Sequence, residues 1–162
     1  NSYVLHSPVY PGTMLQRVWQ KMEEFYDKKE VGQLGISNCY DLDVLIYLYT
    51  NARIKPSIVQ NRFYAQSGYD KEIRAFCKKN AITYESFWSL TANPNILSNE
   101  VLENLANKYE RSSAEIFYRF LNHINIVPLN GTTSKKHMIA DLKISEFELL
   151  PEEIAQISNL LN

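Results

Sequence analysis

Polar and aromatic side chains stand where each of five short apolar runs ends. The set comprises His6, Ser37, Asn38, Gln60, Phe87, Trp88, Asn130 and Gly131. An imidazole can donate a proton or a hydrogen bond, an amide both donates and accepts, and an aromatic ring offers a stacking face. Parallel βα folds bind ligands at the carboxyl ends of their strands, so we predict a shared site at that edge. Each residue alone could instead serve local capping or turn formation.

A second candidate is the run Gly131-Thr132-Thr133-Ser134, which precedes a predicted helix. Free helix N–H groups, hydroxyls and a glycine that permits close approach suit an anion. The alternative is a simple N-cap, which needs only one of these hydroxyls.

These residues require alternating strands and amphipathic helices to position them. The predicted strands are Ser2–Leu5, Gln33–Ile36, Ser57–Gln60, Ile82–Phe87 and Asn125–Leu129. We predict helices that begin near Thr13, Asp41, Tyr69, Asn99, Ser112, Thr132 and Pro151, with Thr13 and Asp41 as the caps of the first two, and an extended segment from Ser145 to Leu150. This βαβα order predicts an α/β fold with a parallel sheet and helices outside it.

Composition excludes several classes of function. The chain has 162 residues, 45% of them apolar, and a net charge of −1, so it lacks the basic excess expected of a nucleic-acid partner. No apolar run reaches the roughly 20 residues that span a bilayer, and no signal-peptide pattern is present, which predicts a cytoplasmic protein without a membrane partner. Cys39 and Cys77 lack metal-ligand spacing, which predicts free thiols and no metal site.

Five ordered motifs resemble one enzyme family. They are SYVLHSP, LGISNCYD, KPSIVQNRFY, ITYESFWSLTAN and PLNGTTSKKHM, followed by the closing stretch FELLPEEIAQI. Their order and spacing resemble the aldo-keto reductases essentially from Asn1 to Asn162. The resemblance implies the C-terminal portion, about five βα units, of a (β/α)8 TIM barrel from its fourth strand onward.

Residues 1–162 are therefore expected to form a single partial barrel domain without the N-terminal βα units. Five strands cannot close an eight-stranded barrel, and an open sheet would expose its edges. We expect the missing N-terminal half, or another chain, to complete it.

The resemblance implies roles for four residues near the nicotinamide. His6 matches the family's histidine that polarises the substrate carbonyl, although a strand-end histidine satisfied by the backbone is the alternative. Ser37, Asn38 and Gln60 match residues that hold the carboxamide. Their alternatives are turn formation for Ser37 and Asn38 and a buried backbone contact for Gln60.

It also implies roles for residues further along the chain. Phe87 matches an aromatic residue that stacks on the nicotinamide, with plain barrel core as the alternative. The residues matched to the adenosine 2′-phosphate region are Gly131, Thr132, Thr133, Ser134, His137 and Asp141. Many members have lysine at the place of Gly131 and arginine at the place of His137, which weakens the case for a 2′-phosphate. NADP is still expected, with NAD as the alternative.

The family's tyrosine acid, lysine and aspartate belong to earlier βα units that this sequence does not contain. The expected function is therefore that of part of an NADP-dependent reductase of aldehydes and ketones, with this chain alone inactive. The alternatives are a non-catalytic half-barrel that binds a nucleotide or a partner, and a regulatory subunit that binds cofactor without turnover.

Overall fold

Strands and helices alternate along the chain, as its apolar periodicity predicts. The computed structural model describes residues 1–161. Its strands are β1 (Ser2–Leu5), β2 (Gln33–Ser37), β3 (Ile58–Arg62), β4 (Thr83–Phe87) and β5 (Ile126–Pro128). Its helices are α1 (Gly12–Asp27), α2 (Leu42–Asn51), α3 (Lys71–Lys79), α4 (Pro94–Leu97), α5 (Glu100–Tyr109), α6 (Ser113–His123), α7 (Lys135–Leu142) and α8 (Pro151–Asn159). Short 3-10 turns span Ala65–Asp70 and Ile144–Glu146.

The strands form a five-stranded sheet in the order β1-β2-β3-β4-β5, and the β1–β2 and β2–β3 pairs are parallel. Gly35 of β2 pairs with Ile58 of β3. A Cβ added to Gly35 would lie 2.9 Å from Ile58 Cβ and 3.0 Å from Ile58 O, so only glycine allows this close approach. The predicted parallel α/β sheet is confirmed.

The chain divides into two compact units. The first comprises residues 1–61 and 70–85, and the second comprises residues 62–69 and the chain from Ser86 onward. In the first unit Trp19 is 1% exposed, and its Nε1 donates to Ile54 O at 2.9 Å. In the second unit Phe63, Phe117 and Phe120 are fully buried and their rings contact one another in series. That the chain is a single domain stays a prediction.

Helix starts follow capping chemistry with two differences from prediction. Asp41 caps α2 as predicted, since its Oδ1 accepts from the N–H groups of Asp43 and Val44 at 2.9 and 3.4 Å. Thr13 does not cap α1, because the helix begins one residue earlier at Gly12 with Pro11 at the N-cap. The helix predicted from Thr132 begins at Lys135, because the Ser134 side chain accepts from the backbone and ends the loop.

Two segments were predicted incorrectly. Part of the stretch predicted as extended from Ser145 to Leu150 is a 3-10 turn, Ile144–Glu146, with extended backbone at Phe147. The short helix Pro94–Leu97, which starts at a proline, was not predicted. None of the helices among residues 1–161 has the length and apolar character that crossing a bilayer requires.

Candidate active site

The first unit brings four of the predicted site residues together at the carboxyl ends of β1, β2 and β3. Asn38 Nδ2 donates to the backbone oxygen of His6 at 2.8 Å and approaches Ser37 Oγ at 3.2 Å. Asn38 N–H and Ser37 Oγ both donate to the backbone oxygen of Gln60, at 3.1 and 2.7 Å. These bonds tie three neighbouring strand ends into one cluster, which we call the strand-end cluster: His6, Ser37, Asn38 and Gln60.

Asn38 adopts the left-handed backbone conformation, with a φ of 52°. Asparagine tolerates this region better than most residues, so the turn after β2 favours it. Its side-chain nitrogen is engaged by His6 and Ser37. Its Oδ1 accepts from Tyr40 Oη at 3.4 Å, which is long for a bond between oxygens, and so keeps capacity for a better donor. The turn function and a ligand-binding function therefore use different atoms of Asn38.

The side-chain amide of Gln60 is oriented by a residue that the sequence analysis missed. Gln60 Nε2 donates to Glu85 Oε2 at 2.9 Å, from β3 to β4. An ionised carboxylate only accepts hydrogen bonds, so this contact fixes which end of the amide is nitrogen. Gln60 Oε1 remains as an acceptor. In the sequence, an acidic residue inside a predicted strand, Glu85 in TYESF, could have indicated this contact.

A buried polar network holds the backbone beside Asn38. Asn61 is 0% exposed, and its Oδ1 accepts from Cys39 N at 2.9 Å while its Nδ2 donates to Cys39 O at 2.7 Å. The same Nδ2 donates to Asp70 Oδ2 at 2.7 Å, and Tyr84 Oη donates to that oxygen at 2.8 Å. We call Asn61, Asp70 and Tyr84 the buried network. Nothing in the sequence analysis indicated it.

Burial governs the titration of the groups around this network. Burial, and next the charge of Asp70, raise the pKa of the Tyr84 hydroxyl far above its ordinary value, so it remains a donor. Burial likewise raises the pKa of both Cys39 and Cys77 to about 12. Both cysteines are free and buried, which confirms the prediction of free thiols.

In the second unit Phe87 lines a cleft of about 600 Å³. The other lining residues are Trp88, Ser89, Leu90, Thr91, Tyr118, Leu129, Asn130 and Gly131. The Trp88 ring is 58% exposed, and the Arg62 guanidinium lies 4.3 Å from its centroid. That distance is typical of a cation–π contact. Phe87 is only half-buried, so part of its side chain is accessible from this cleft.

The loop before α7 combines a cap with exposed polar groups. Ser134 Oγ accepts from His137 N–H at 3.4 Å, and Ser134 N–H donates to Thr132 Oγ1 at 3.1 Å. Ser134 is therefore the N-cap of α7, and the cap uses only this one hydroxyl of the loop. Gly131, Thr133 and His137 are exposed, and a Cβ added to Gly131 would have no atom within 4 Å.

Asp141 lies on the wall of an adjoining cleft of about 380 Å³, with Asn130, Gly131 and Thr132. Asn130 Nδ2 donates to Asp141 Oδ2 at 2.6 Å. Burial raises the pKa of the Asp141 carboxyl, and the bond from Asn130 opposes that rise. The loop offers hydroxyls and N–H groups together with one carboxylate.

The strand-end cluster of the first unit suits an amide-bearing ligand. Asn38 Oδ1 and Gln60 Oε1 are two acceptors in the strand-end cluster, which suits the N–H₂ group of a carboxamide. The open space at Gly131 and the Asp141 carboxylate suit hydroxyl-bearing ribose. Among residues 1–161, no group of three or more histidine, cysteine, aspartate or glutamate side chains is arranged to bind a metal ion.

Comparisons with known proteins agree with this fold. The chain is 27% identical to aldose reductase B of Dictyostelium discoideum over 94% of this chain and 49% of the relative. It is 29% identical to glyoxal reductase of Bacillus subtilis (strain 168) over 98% of this chain and 55% of the relative. The crystal structure of an aldo-keto reductase enzyme from a Medee basin deep-sea metagenome library superimposes with a TM-score of 0.89 at 24% identity, covering 100% of this chain and 59% of that one.

The chain belongs to the aldo/keto reductase family, whose pattern matches residues 1–162. Enzymes of this family are oxidoreductases that generally use NAD(P)H to reduce small carbonyl compounds. The chain spans about half the length of the curated relatives it matches.

Proposed function

We propose that this protein reduces aldehydes or ketones with NADPH, and that residues 1–162 form the C-terminal five βα units of its (β/α)8 barrel. The observation that carries the proposal is the strand-end cluster, in which His6, Ser37, Asn38 and Gln60 lie at the ends of three neighbouring parallel strands. Family membership supplies the reaction class. Bound NADPH supplies the hydride.

In this proposal Ser37, Asn38 and Gln60 bind the nicotinamide carboxamide. Asn38 Oδ1 and Gln60 Oε1 would accept from the carboxamide nitrogen, because the nitrogens of both side chains already donate to protein oxygens. Phe87 offers its half-exposed ring as a stacking face. The proposed adenosine contacts are Gly131, Thr132, Thr133, Ser134, His137 and Asp141.

The proposed role of His6 is to donate a hydrogen bond to the substrate carbonyl oxygen. Its backbone oxygen is held by Asn38 at 2.8 Å, and its side chain is exposed at the end of β1. A fixed donor stabilises the negative charge that develops on that oxygen during reduction. In this role the imidazole needs a proton on the nitrogen that faces the substrate.

The tyrosine that protonates the product, with its lysine and aspartate, is proposed to lie outside residues 1–162. On this proposal residues 1–162 by themselves turn over no substrate, and the remaining barrel strands must come from the rest of the polypeptide or from another chain. We also propose a cytoplasmic location, because two buried free thiols suit a reducing compartment.

The test is NADPH oxidation by the complete natural polypeptide with a panel of small aldehydes and ketones. We expect steady-state turnover from the complete polypeptide and none from the 162-residue chain. Cofactor binding without turnover of any carbonyl by the complete polypeptide would favour a regulatory, non-catalytic subunit instead. Robust turnover by residues 1–162 alone would refute the assignment of the acid to another part of the protein.

Removing either amide should weaken cofactor binding. In the complete polypeptide, Asn38→Ala and Gln60→Ala should each raise the Kd for NADPH about 2- to 12-fold, since a lost hydrogen bond to a neutral group costs roughly 0.5–1.5 kcal/mol. Fluorescence titration of NADPH measures the change. Asn80→Ala, which removes an amide that caps α3 in the same unit, serves as the control. Unchanged Kd values in both site variants would contradict this placement of the carboxamide.

Restoring the family's lysine should strengthen selection for the 2′-phosphate. A Cβ at Gly131 meets no atom within 4 Å, so the first side-chain carbon of Gly131→Lys displaces no neighbour. We expect the ratio of the NADH Kd to the NADPH Kd to rise about 3- to 10-fold, because an ammonium group pairs with the phosphate. Gly131→Gln adds a comparable stem without charge and should leave the ratio unchanged. Equal ratios in the two variants would mean that the phosphate does not lie at this loop.

A further inference from the structure

The carboxylate of Glu85 lies directly against one of the two amides proposed to hold the nicotinamide. Gln60 Nε2 and Glu85 Oε2 are 2.9 Å apart, and both side chains are half-buried. Hydrogen bonds to an ionised group are shorter and stronger than neutral ones, so the pair holds the glutamate close to the strand-end cluster. The inference that follows rests on the proposed function, in which Gln60 accepts from the carboxamide.

The negative charge of Glu85 is not held in a salt bridge within the part of the chain that the structure describes. Gln60, its partner in the hydrogen bond, is neutral. A half-buried charge is screened less by solvent than an exposed one, so its field reaches groups bound beside Gln60.

The two forms of the cofactor differ in charge at the nicotinamide ring. The reduced ring is neutral, and the oxidised ring carries one positive charge. We propose that Glu85 is a specificity-determining residue that favours the oxidised form of the bound nicotinamide cofactor over the reduced form. The same charge stabilises the cationic ring that hydride donation produces, and it acts without touching the substrate.

Orientation and charge are separable effects of Glu85. Glu85→Gln keeps the length of the side chain and an oxygen that accepts from Gln60 Nε2, so it removes the charge and retains the contact. A residue that only oriented Gln60 would change the affinity for both cofactor forms equally. A residue that acts through its charge changes the affinity for the oxidised form alone.

The experiment is calorimetric titration of the complete natural polypeptide with NADP⁺ and, separately, with NADPH at low ionic strength. In Glu85→Gln we expect the Kd for NADP⁺ to rise about 3- to 10-fold and the Kd for NADPH to change by less than about twofold. Glu72→Gln removes an exposed carboxylate on α3 in the same unit and should leave both constants unchanged. In the unmodified protein, added salt should reduce the preference for NADP⁺ over NADPH that Glu85 provides, because salt screens its charge.

A second variant guards against misfolding of the first. Glu85→Thr suits a strand and also lacks the charge, so it should shift the ratio of the two constants in the same direction. Binding of both forms with an unchanged ratio in either folded variant would overturn the inference and leave the proposed function standing. Binding of neither form by the unmodified protein would overturn the proposed function, and the inference with it.

Discussion

The variant His6→Asn in the complete natural polypeptide should reduce aldehydes with a kcat/KM about 100-fold or more below that of the unmodified protein. Asparagine is shorter than histidine, so its side chain no longer places the same donor near the carbonyl oxygen. The contact that Asn38 makes is to the backbone oxygen of residue 6, so the substitution leaves it in place. The Kd for NADPH should therefore change by less than about twofold. Steady-state kinetics with fluorescence titration measures both quantities.

The matched control is a histidine outside the strand-end cluster. His123 Nε2 accepts from Leu149 N–H at 3.2 Å at the end of α6, and the amide oxygen of His123→Gln can accept in its place. We expect this variant to retain full kcat/KM. If His6→Asn retained it as well, His6 would be a strand-end residue satisfied by its surroundings, and its proposed role in catalysis would be wrong.

Replacing Asn61 by leucine should lower the free energy of unfolding by about 2–4 kcal/mol, because it breaks a buried network that includes a charge. Leucine has a similar volume but supplies no partner for Cys39 N–H or Cys39 O. It also removes one donor from the buried carboxylate of Asp70, leaving the hydroxyl of Tyr84 at 2.8 Å. Denaturant unfolding followed by circular dichroism measures the difference.

Asn93→Leu provides the comparison for Asn61→Leu. Asn93 is also buried, and its Nδ2 donates to the backbone oxygens of Phe63 and Ser89 at 2.7 and 2.8 Å, with no carboxylate involved. We expect Asn93→Leu to be less destabilising, because removing a donor from a neutral carbonyl costs less than removing one from a buried carboxylate. A larger loss for Asn93→Leu than for Asn61→Leu would contradict the weight given to Asp70.

Local sequence patterns predicted most of the fold. Apolar runs and caps located all five strands and most helices, with Asp41 at the start of α2 as a clear case. The family motifs also named His6, Ser37, Asn38 and Gln60 before the structure placed them at neighbouring strand ends. Their roles in binding and catalysis stay predictions. The predicted start of α7 was wrong because a side chain bonds to the backbone there. Ser134 caps the helix, so α7 begins at Lys135 and is shorter than predicted.

The sequence by itself determined the alternation of strands and helices, the family and the candidate residues, because each follows from neighbours within a few positions. Only the tertiary structure decided which side-chain amide atoms of Asn38 and Gln60 remain available to a ligand. Asn61 meets Cys39 across 22 positions, and Gln60 meets Glu85 across 25. Such contacts depend on strand register, which sets the partner of every side chain on a sheet face. For this reason the buried network and the charge beside Gln60 could not be predicted from local spacing.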